Sequence, residues 1–240
     1  RHWRPGKAGS AASLNKSLLL MKPFRTRIKI CGLTRESDVD TAVQAGADAV
    51  GFVLYPQSPR FVSPERAGEL ACRLPAFVTP VLLFVNASPE HIRLGLEAVP
   101  NALVQFHGDE TPADCAAAGR PYIRAARIPA GAAGAGFDLL KYAQDFAGAQ
   151  AILLDAHIEG YGGGGLSFDW TAFPWSHPQL NASSRLVLSG GLTPANVADG
   201  IRLVQPWAVD VSSGVESAKG IKDPELVAAF IAAVRRADDK

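Results

Sequence analysis

From residue 27 onward the sequence alternates between strand-like and helix-like segments, with a repeat of about 25 residues. Short runs rich in Val, Ile and Leu predict eight strands, at 27–31, 48–53, 79–85, 102–106, 122–127, 150–154, 185–189 and 207–211. Most of these runs are apolar on both faces, which is typical of a parallel sheet covered by helices. Helices are predicted between them, at 36–45, 64–73, 89–97, 111–118, about 136–146, 194–203 and 224–236.

The sixth connection and the helix starts refine this pattern. Loop 157–168 is rich in glycine, and the helix after it, around 169–174, is predicted to be short or degenerate. Elsewhere a capping residue stands directly before a proline, which is favoured at the first helical position, at 63–64, 88–89, 111–112, 193–194 and 223–224. Eight strands and about eight helices without a break in composition predict a single α/β domain, a (β/α)8 TIM barrel. A doubly wound open sheet is the alternative.

Length and composition agree with one barrel enzyme. The chain has 240 residues, about the length of one α/β barrel, although a crude length rule also allows two domains. A net charge of +1 argues against a nucleic-acid or membrane-surface partner, and no apolar run approaches the length of a membrane span. The three cysteines form no CxxC pair, which fits a reducing compartment. We therefore expect a cytoplasmic protein.

Residues 1–26 differ from the rest of the chain. They carry Gly, Ser, Ala and scattered basic residues without a clear period, and the apolar run at 18–20 is too short for a signal peptide. We expect a disordered or non-native N-terminal extension at 1–26, with an organellar targeting segment as the alternative. The barrel catalytic domain is expected to span 27–240.

Residues that could act in catalysis or anion binding lie at the carboxyl ends of the predicted strands. Cys31 ends the first predicted strand, and Asp155 follows directly after the sixth. Two turns containing glycine follow the seventh and eighth strands, at 189–191 and 212–214. Parallel barrels build their active sites from the carboxyl ends of their strands. A thiol, a carboxyl group and two anion-binding turns are therefore expected on one rim.

The two turns predict a phosphate site at the loops after strands 7 and 8. Gly190 and Gly191 allow backbone N–H groups to approach an anion, and Ser212, Ser213 and Gly214 can open a short helix. Barrels commonly hold phosphate at this position. Around the barrel, Asp155 on strand 6 and Cys31 on strand 1 would then lie on either side of the anchored phosphate.

Nine short sequence motifs resemble those of the phosphoribosylanthranilate isomerase family. In order they are KICGLT (29–34), GADAVGF (46–52), SPRFVSP (58–64), VQFHGDE (104–110), LLD (153–155), GYGG (160–163), FDW (168–170), LSGGL (188–192) and AVDVSSGVE (208–216). The resemblance implies a cofactor-free barrel enzyme of tryptophan biosynthesis that converts an aminoaldose phosphate to an aminoketose phosphate. By position it makes Cys31 the general base, Asp155 the general acid and Arg60 the ligand of the anthranilate carboxylate.

Strand periodicity adds a charge cluster. If Cys31 faces the lumen, Lys29 does so too, and Asp210 reaches a similar level on the neighbouring last strand. Lys29 would favour the thiolate of Cys31, whereas Asp210 would oppose it. Asp155 must carry a proton to act as an acid, which an apolar setting or a nearby negative charge favours. His107 and Asp210 are expected near the substrate.

Several alternatives stay open at this point. The five histidines show no HxxxH spacing, so we expect no metal and no cofactor. The glycines at 162–165 are expected in a mobile loop over the pocket, or in a plain solvent loop. Competing functions are the histidine-pathway isomerase, indole-glycerol-phosphate synthase and a non-catalytic phosphate-sensing barrel. The expected partner is a small phosphorylated substrate, with no nucleic acid and no membrane, and the expected assembly is a monomer or homodimer.

Overall fold

The computed structural model describes residues 25–129, 134, 136–157, 169–173, 175 and 185–239, without the side chain of His157. Eight parallel strands form the centre: β1 Arg27–Cys31, β2 Ala49–Val53, β3 Thr79–Phe84, β4 Leu103–Phe106, β5 Tyr122–Pro129, β6 Ala151–His157, β7 Arg185–Leu188 and β8 Ala208–Val211. Each strand pairs with the next, and β8 pairs with β1, so the sheet closes into a barrel. The predicted TIM barrel is confirmed, and the open sheet is excluded.

Helices cover the outside of the sheet. They are α1 Glu36–Ala45, α2 Pro64–Ala71, α3 Pro89–Ala98, α4 Pro112–Ala117, α5 Leu139–Asp145, α6 Val197–Val204 and α7 Pro224–Asp238. The predicted caps at Ser63, Ser88, Thr111 and Asp223 each accept a backbone N–H from the first helical turn. These bonds satisfy N–H groups that have no acceptor within the helix.

The start of α6 differs from the prediction. The helix begins at Val197, three residues after the predicted start at 194. The Asn196 side chain accepts the Thr193 N–H at 2.8 Å and donates to the Gly191 carbonyl at 3.0 Å. These two bonds fold 193–196 into a turn tied to the loop after β7, so Thr193 does not cap the helix.

The sixth connection ends as the sequence predicts. Among the residues of this connection that the structure describes, Trp170–Ala172 form a 3-10 turn, within the short helix predicted around 169–174. The predicted mobile loop at 157–168 lies outside the described residues apart from the backbone of His157.

The predicted extension at 1–26 also lies outside the described residues apart from Arg25 and Thr26. Thr26 is fully buried, and its backbone N–H donates to Asp238 in α7 at 2.8 Å. These two residues are therefore attached to the barrel, and the domain boundary at residue 27 stays a prediction.

A hairpin after β8 was not predicted, whereas a short helix opened by Ser212, Ser213 and Gly214 was. After β8 the chain forms a 3-10 turn, Ser213–Val215, and then an antiparallel hairpin of β9 Glu216–Ala218 and β10 Ile221–Lys222. The hairpin turn contains Gly220, whose φ is +79°, and a side chain there would approach the Pro59 carbonyl to 3.0 Å. The hairpin therefore packs against the segment between β2 and α2.

The side chains that fill the barrel lumen change from apolar to charged along the barrel axis. Towards the amino ends the lumen is filled by small and branched apolar residues, including Ile123, Ala125, Leu153 and Val187. Higher up it contains the charged side chains of Lys29 and Asp210, both almost completely buried. Within the described segments, no helix combines the length and apolar character that a membrane crossing requires.

Candidate active site at the carboxyl ends of the strands

Cys31 is the last residue of β1 and is only 5% exposed. Its side chain packs against Val53, Leu83 and Val85 from β2, β3 and the residue just after β3. Gly51 lies opposite it in the strand register, and a Cβ there would stand 2.7 Å from the Cys31 sulfur. The glycine therefore makes room for the thiol at the rim.

Lys29 and Asp210 form a buried ion pair below Cys31. Lys29 Nζ donates to Asp210 Oδ1 at 2.7 Å, and Ser189 Oγ donates to Asp210 Oδ2 at 3.3 Å. The structure thus brings together the three residues that strand parity and closure of the barrel predicted to be neighbours.

The charges act on Cys31 in opposite directions. Burial raises the pKa of the Cys31 thiol, the positive charge of Lys29 lowers it, and the negative charge of Asp210 raises it again. The balance leaves this pKa above its usual value. Burial also works against the charge of Lys29, but Asp210 and Cys31 outweigh that effect and raise its pKa.

Asp155 and His107 are bonded to each other at the same rim. His107 Nε2 lies 3.0 Å from Asp155 Oδ2, and both side chains are about nine-tenths buried. Gln105 Nε2 donates to His107 Nδ1 at 3.1 Å. In this orientation of the Gln105 amide Nδ1 is an acceptor, so the Nε2–H group donates a hydrogen bond to Asp155.

A second buried ion pair fixes the backbone next to His107. Glu110 accepts the N–H groups of Asn86 at 2.7 Å and Gly108 at 2.9 Å. Arg124 donates to Glu110 at 3.0 Å and to the Gly108 carbonyl at 2.9 Å. This pair was missed in the sequence, although Glu110 ends the motif at 104–110 and Arg124 is a charged residue within the predicted strand 122–127.

The two predicted phosphate turns contact each other. Gly190 and Gly191 have φ values of +77° and +67°, a region that favours glycine. A side chain at Gly214 would collide with the Leu192 carbonyl, so the turn after β8 packs directly on the turn after β7. In the described part of the chain, no acceptor is bonded to the N–H of Gly190 or Gly191.

The first of these turns also touches Asp155. A Cβ at Gly190 would stand 2.5 Å from the Ala156 nitrogen and 2.9 Å from Asp155 Oδ1. The predicted acid and the predicted phosphate turn are therefore immediate neighbours.

Arg60 does not stand free at the rim. Its Nε and Nη2 donate to the two oxygens of Glu216, each at 2.7 Å, and the pair is almost completely buried. The Cδ of Arg60 and the Oγ of Ser212 both approach Gly32, the residue after Cys31. The Arg60 side chain therefore lies directly beside the predicted base, Cys31. Among the described residues, Nη1 of Arg60 has no protein acceptor.

Glu216 and Lys222 belong to the site but were not predicted as site residues. Lys222 Nζ donates to Glu216 Oε1 at 2.7 Å and to the Ser212 carbonyl at 3.0 Å. Burial raises the pKa of Glu216, but Arg60 and Lys222 outweigh it and the pKa is lowered. Burial lowers the pKa of Lys222. Glu216 ends the motif at 208–216, but no pattern pointed to Lys222.

Most of the predicted site residues therefore lie in two adjoining groups on one rim. The first contains Cys31, Asp210, Arg60 and Ser212, and the second contains His107, Asp155 and Gly190. Among the described residues, no set of three or more His, Cys, Asp or Glu side chains is arranged to hold a metal ion. A closed parallel barrel with a thiol, a carboxyl group and glycine turns at its carboxyl rim is the architecture of a barrel enzyme.

Comparison with known proteins gives the family. The family model for N-(5'-phosphoribosyl)anthranilate (PRA) isomerase matches residues 28–233. N-(5'-phosphoribosyl)anthranilate isomerase of Leptothrix cholodnii is 63% identical over 220 residues, which cover 92% of this chain and 96% of that protein. The chain belongs to this family, as its motifs predicted. It is an intramolecular aldose–ketose isomerase of tryptophan biosynthesis.

Solved structures agree with this assignment. The crystal structure of phosphoribosyl anthranilate isomerase from Thermotoga maritima is 40% identical, with a TM-score of 0.76 and coverage of 88% of this chain and 99% of that one. Phosphoribosyl anthranilate isomerase in complex with reduced 1-(o-carboxyphenylamino)-1-deoxyribulose 5-phosphate is 38% identical, with a TM-score of 0.73 and the same coverage.

Proposed function

We propose that this chain converts N-(5-phosphoribosyl)anthranilate to 1-(2-carboxyphenylamino)-1-deoxyribulose 5-phosphate, with Cys31 as general base and Asp155 as general acid. One observation carries the assignment of these two residues. The thiol and the carboxyl group stand on β1 and β6, on either side of the two contacting glycine turns after β7 and β8. A phosphate held by those turns would present the sugar to both groups.

The reaction needs two proton transfers at different points of one sugar. Asp155 gives its proton to the furanose ring oxygen, which opens the ring and leaves a protonated imine. The thiolate of Cys31 then removes the C2′ proton, and the resulting enolamine tautomerises to the ketone. A raised thiol pKa makes the thiolate a minor species near neutral pH, so the rate should rise with pH.

The anion sites complete the assignment. Backbone N–H groups at Gly190 and Gly191, with the turn formed by Ser212, Ser213 and Gly214, would hold the phosphate. Glu216 already occupies two nitrogens of Arg60, so the remaining Nη1 would meet the anthranilate carboxylate. His107 and Asp210 would stay close to the substrate through their contacts with Asp155 and Lys29.

The histidine-pathway aminoaldose is the second candidate substrate. That isomerase uses a carboxylate at the end of strand 1, where this chain has Cys31, and the difference favours the anthranilate substrate. A cytoplasmic location and the choice between monomer and homodimer stay predictions.

Fluorescence tests the proposal. Phosphoribosylanthranilate fluorescence should fall when purified protein is added in EDTA, without any cofactor, and the histidine-pathway substrate should be turned over far more slowly. No loss of fluorescence would overturn the assigned reaction. Faster turnover of the histidine-pathway substrate would overturn the assigned substrate.

A further inference from the structure

Lys222 is a fully enclosed lysine outside the eight-stranded barrel. Its side chain is only 1% exposed and comes from β10, the second strand of the hairpin after β8. The ammonium contacts the Ser212 carbonyl at 3.0 Å, Ser212 Oγ at 3.4 Å and Glu216 Oε1 at 2.7 Å. A buried lysine is costly to keep charged unless it has such partners.

The contacts of Lys222 continue to Arg60. Glu216 uses Oε1 for both Lys222 and Arg60, and it gives Oε2 to Arg60 as well. One chain of charge-assisted bonds therefore runs from the backbone of Ser212 to the guanidinium of Arg60. These are the ends at which the phosphate and the anthranilate carboxylate are proposed to bind.

This series of charge-assisted bonds passes beside Cys31. Charges face the thiol from β1, from β8, from the hairpin and from the segment before α2, namely from Lys29, Asp210, Lys222 and Arg60. The residues that contact the thiol from β2 and the end of β3 carry no charge; they are Gly51, Val53, Leu83 and Val85. With Glu216, this cluster holds three positive and two negative groups, so a thiolate at Cys31 would balance it.

We propose that Lys222 is a positioning residue for the isomerase reaction: it fixes Ser212 and the Glu216–Arg60 pair relative to each other, and it supplies the positive charge that balances the thiolate of Cys31. This inference rests on the proposed roles of Cys31, Arg60 and the turn after β8. It predicts two separable effects, one on the base and one on the binding of the two anionic ends of the substrate.

The first effect is measured without substrate. The rate of Cys31 alkylation by iodoacetamide is followed against pH by mass spectrometry, with exposed Cys72 as the internal reference. Lys222→Met removes a positive charge and should move the midpoint of the curve of Cys31 alkylation rate against pH to higher pH. Glu216→Gln removes a negative charge and should move that midpoint to lower pH. The double variant removes one charge of each sign, so its midpoint should return close to that of the wild type.

At a fixed pH the effect on rate is smaller than the effect on thiolate content. A tenfold drop in thiolate is partly offset because nucleophilicity rises with pKa, so about a threefold slower alkylation is expected. A purely structural role of Lys222 would not give shifts of opposite sign in the two single variants.

The second effect appears in steady-state kinetics. Lys222→Met and the double variant should both raise KM and the inhibition constant of inorganic phosphate by roughly tenfold, since each loses a charge-assisted bond. The double variant should therefore have an alkylation midpoint close to that of the wild type, while its binding of substrate and of inorganic phosphate stays weakened. Lys219→Met, which changes an exposed lysine of the same hairpin, should alter neither.

The outcomes separate this inference from the proposed function. If the wild type does not turn over phosphoribosylanthranilate, the alkylation series still decides the effect of Lys222 on Cys31. If Lys222→Met does not fold, Glu216→Gln and the double variant, which removes both charges of the Lys222–Glu216 pair, carry the test. Midpoints that move in the same direction in both single variants, or do not move, would overturn the inference.

Discussion

His107 Nε2, directly after β4, lies 3.0 Å from Asp155 Oδ2 on β6, so the two side chains meet across the intervening strand β5. With Gln105 donating to Nδ1, the Nε2–H group of the ring donates a hydrogen bond to Asp155, a bond that a carboxylate oxygen accepts. An acid must instead hold a proton at the start of the reaction. In the proposed role of Asp155, this hydrogen-bond arrangement would correspond to the carboxylate that remains after proton donation.

The opposite state needs only a local rearrangement. Gln105 Oε1 is buried without a hydrogen-bond partner among the described residues. If the Gln105 amide turns over, Oε1 accepts a hydrogen bond from the Nδ1–H group, and Nε2 can accept a hydrogen bond from a protonated Asp155. The tautomer of His107 and the orientation of Gln105 would then follow the proton of Asp155.

The first prediction concerns this partner of the acid. His107→Ala should lower kcat by roughly ten- to a hundredfold and change KM less, because it removes the group that orients Asp155 but no substrate anion site. His91→Ala is the matched control, since His91 also bonds through its ring, to the Leu54 carbonyl, but has no contact with Asp155. A larger rise in KM than fall in kcat would show that His107 acts mainly in substrate binding.

The second prediction concerns the acid and the base themselves. Cys31→Ala and Asp155→Ala should each lower kcat by about 10²–10⁴-fold, because each removes a proton-transfer group. The fold should persist, since alanine at either position leaves the strand pairing of β1 and β6 intact. Circular dichroism and thermal melting check this, and turnover is measured by fluorescence.

Cys72→Ala provides the control for the thiol, because Cys72 is exposed at the end of α2. It should keep wild-type turnover. Retention of more than about a tenth of the activity by either site variant would remove that residue from its assigned role.

The third prediction concerns the ion pair below the thiol. Lys29→Met should raise the pKa of Cys31, because the positive charge that opposes the effect of burial is lost. The base works as a thiolate, so the acidic limb of the kcat/KM profile should move to higher pH. Asp210→Asn removes the opposing negative charge and should move that limb to lower pH.

The double variant, Lys29→Met with Asp210→Asn, controls for the disruption of a buried pair. It leaves no lone charge in the lumen, so it should be more stable than either single variant. Its acidic limb should lie between those of the single variants. An unchanged limb in Lys29→Met would show that Lys29 serves only to fill and neutralise the core.

Part of this site could be read from the sequence because local patterns encode it. The strands of a parallel barrel are buried on both faces, so they stand out as short apolar runs. Within them, a charge is unusual, and parity alone placed Lys29 on the same side as Cys31. Closure of the barrel then made Asp210 a neighbour, as the register between β1 and β8 shows.

The rest depends on contacts that no local pattern encodes. Glu216 meets Arg60, 156 positions earlier in the chain, and it does so because of a hairpin with strands of only three and two residues. Segments this short carry no readable period. The sequence therefore does not reveal the internal carboxylate of Glu216 that holds Arg60 beside Cys31.

The last prediction concerns the phosphate turn. Gly191 has a φ of +67°, and Gly119, in an exposed turn after α4, has a φ of +61° with open space around it. Gly191→Ala and Gly119→Ala should each lower the free energy of unfolding by about 1–2 kcal/mol, because alanine is strained in this conformation. The cost that arises from backbone strain is therefore expected to be similar at both positions.

Only Gly191→Ala should weaken phosphate binding, because a methyl group there obstructs the approach of an anion to the backbone N–H groups. Inorganic phosphate should compete with substrate in the wild type and in Gly119→Ala, and its inhibition constant should rise in Gly191→Ala. Denaturant unfolding measures the shared cost, and inhibition kinetics measure the difference. If phosphate inhibits both variants equally, or does not inhibit the wild type even at high concentration, the phosphate site does not lie at the loops after β7 and β8.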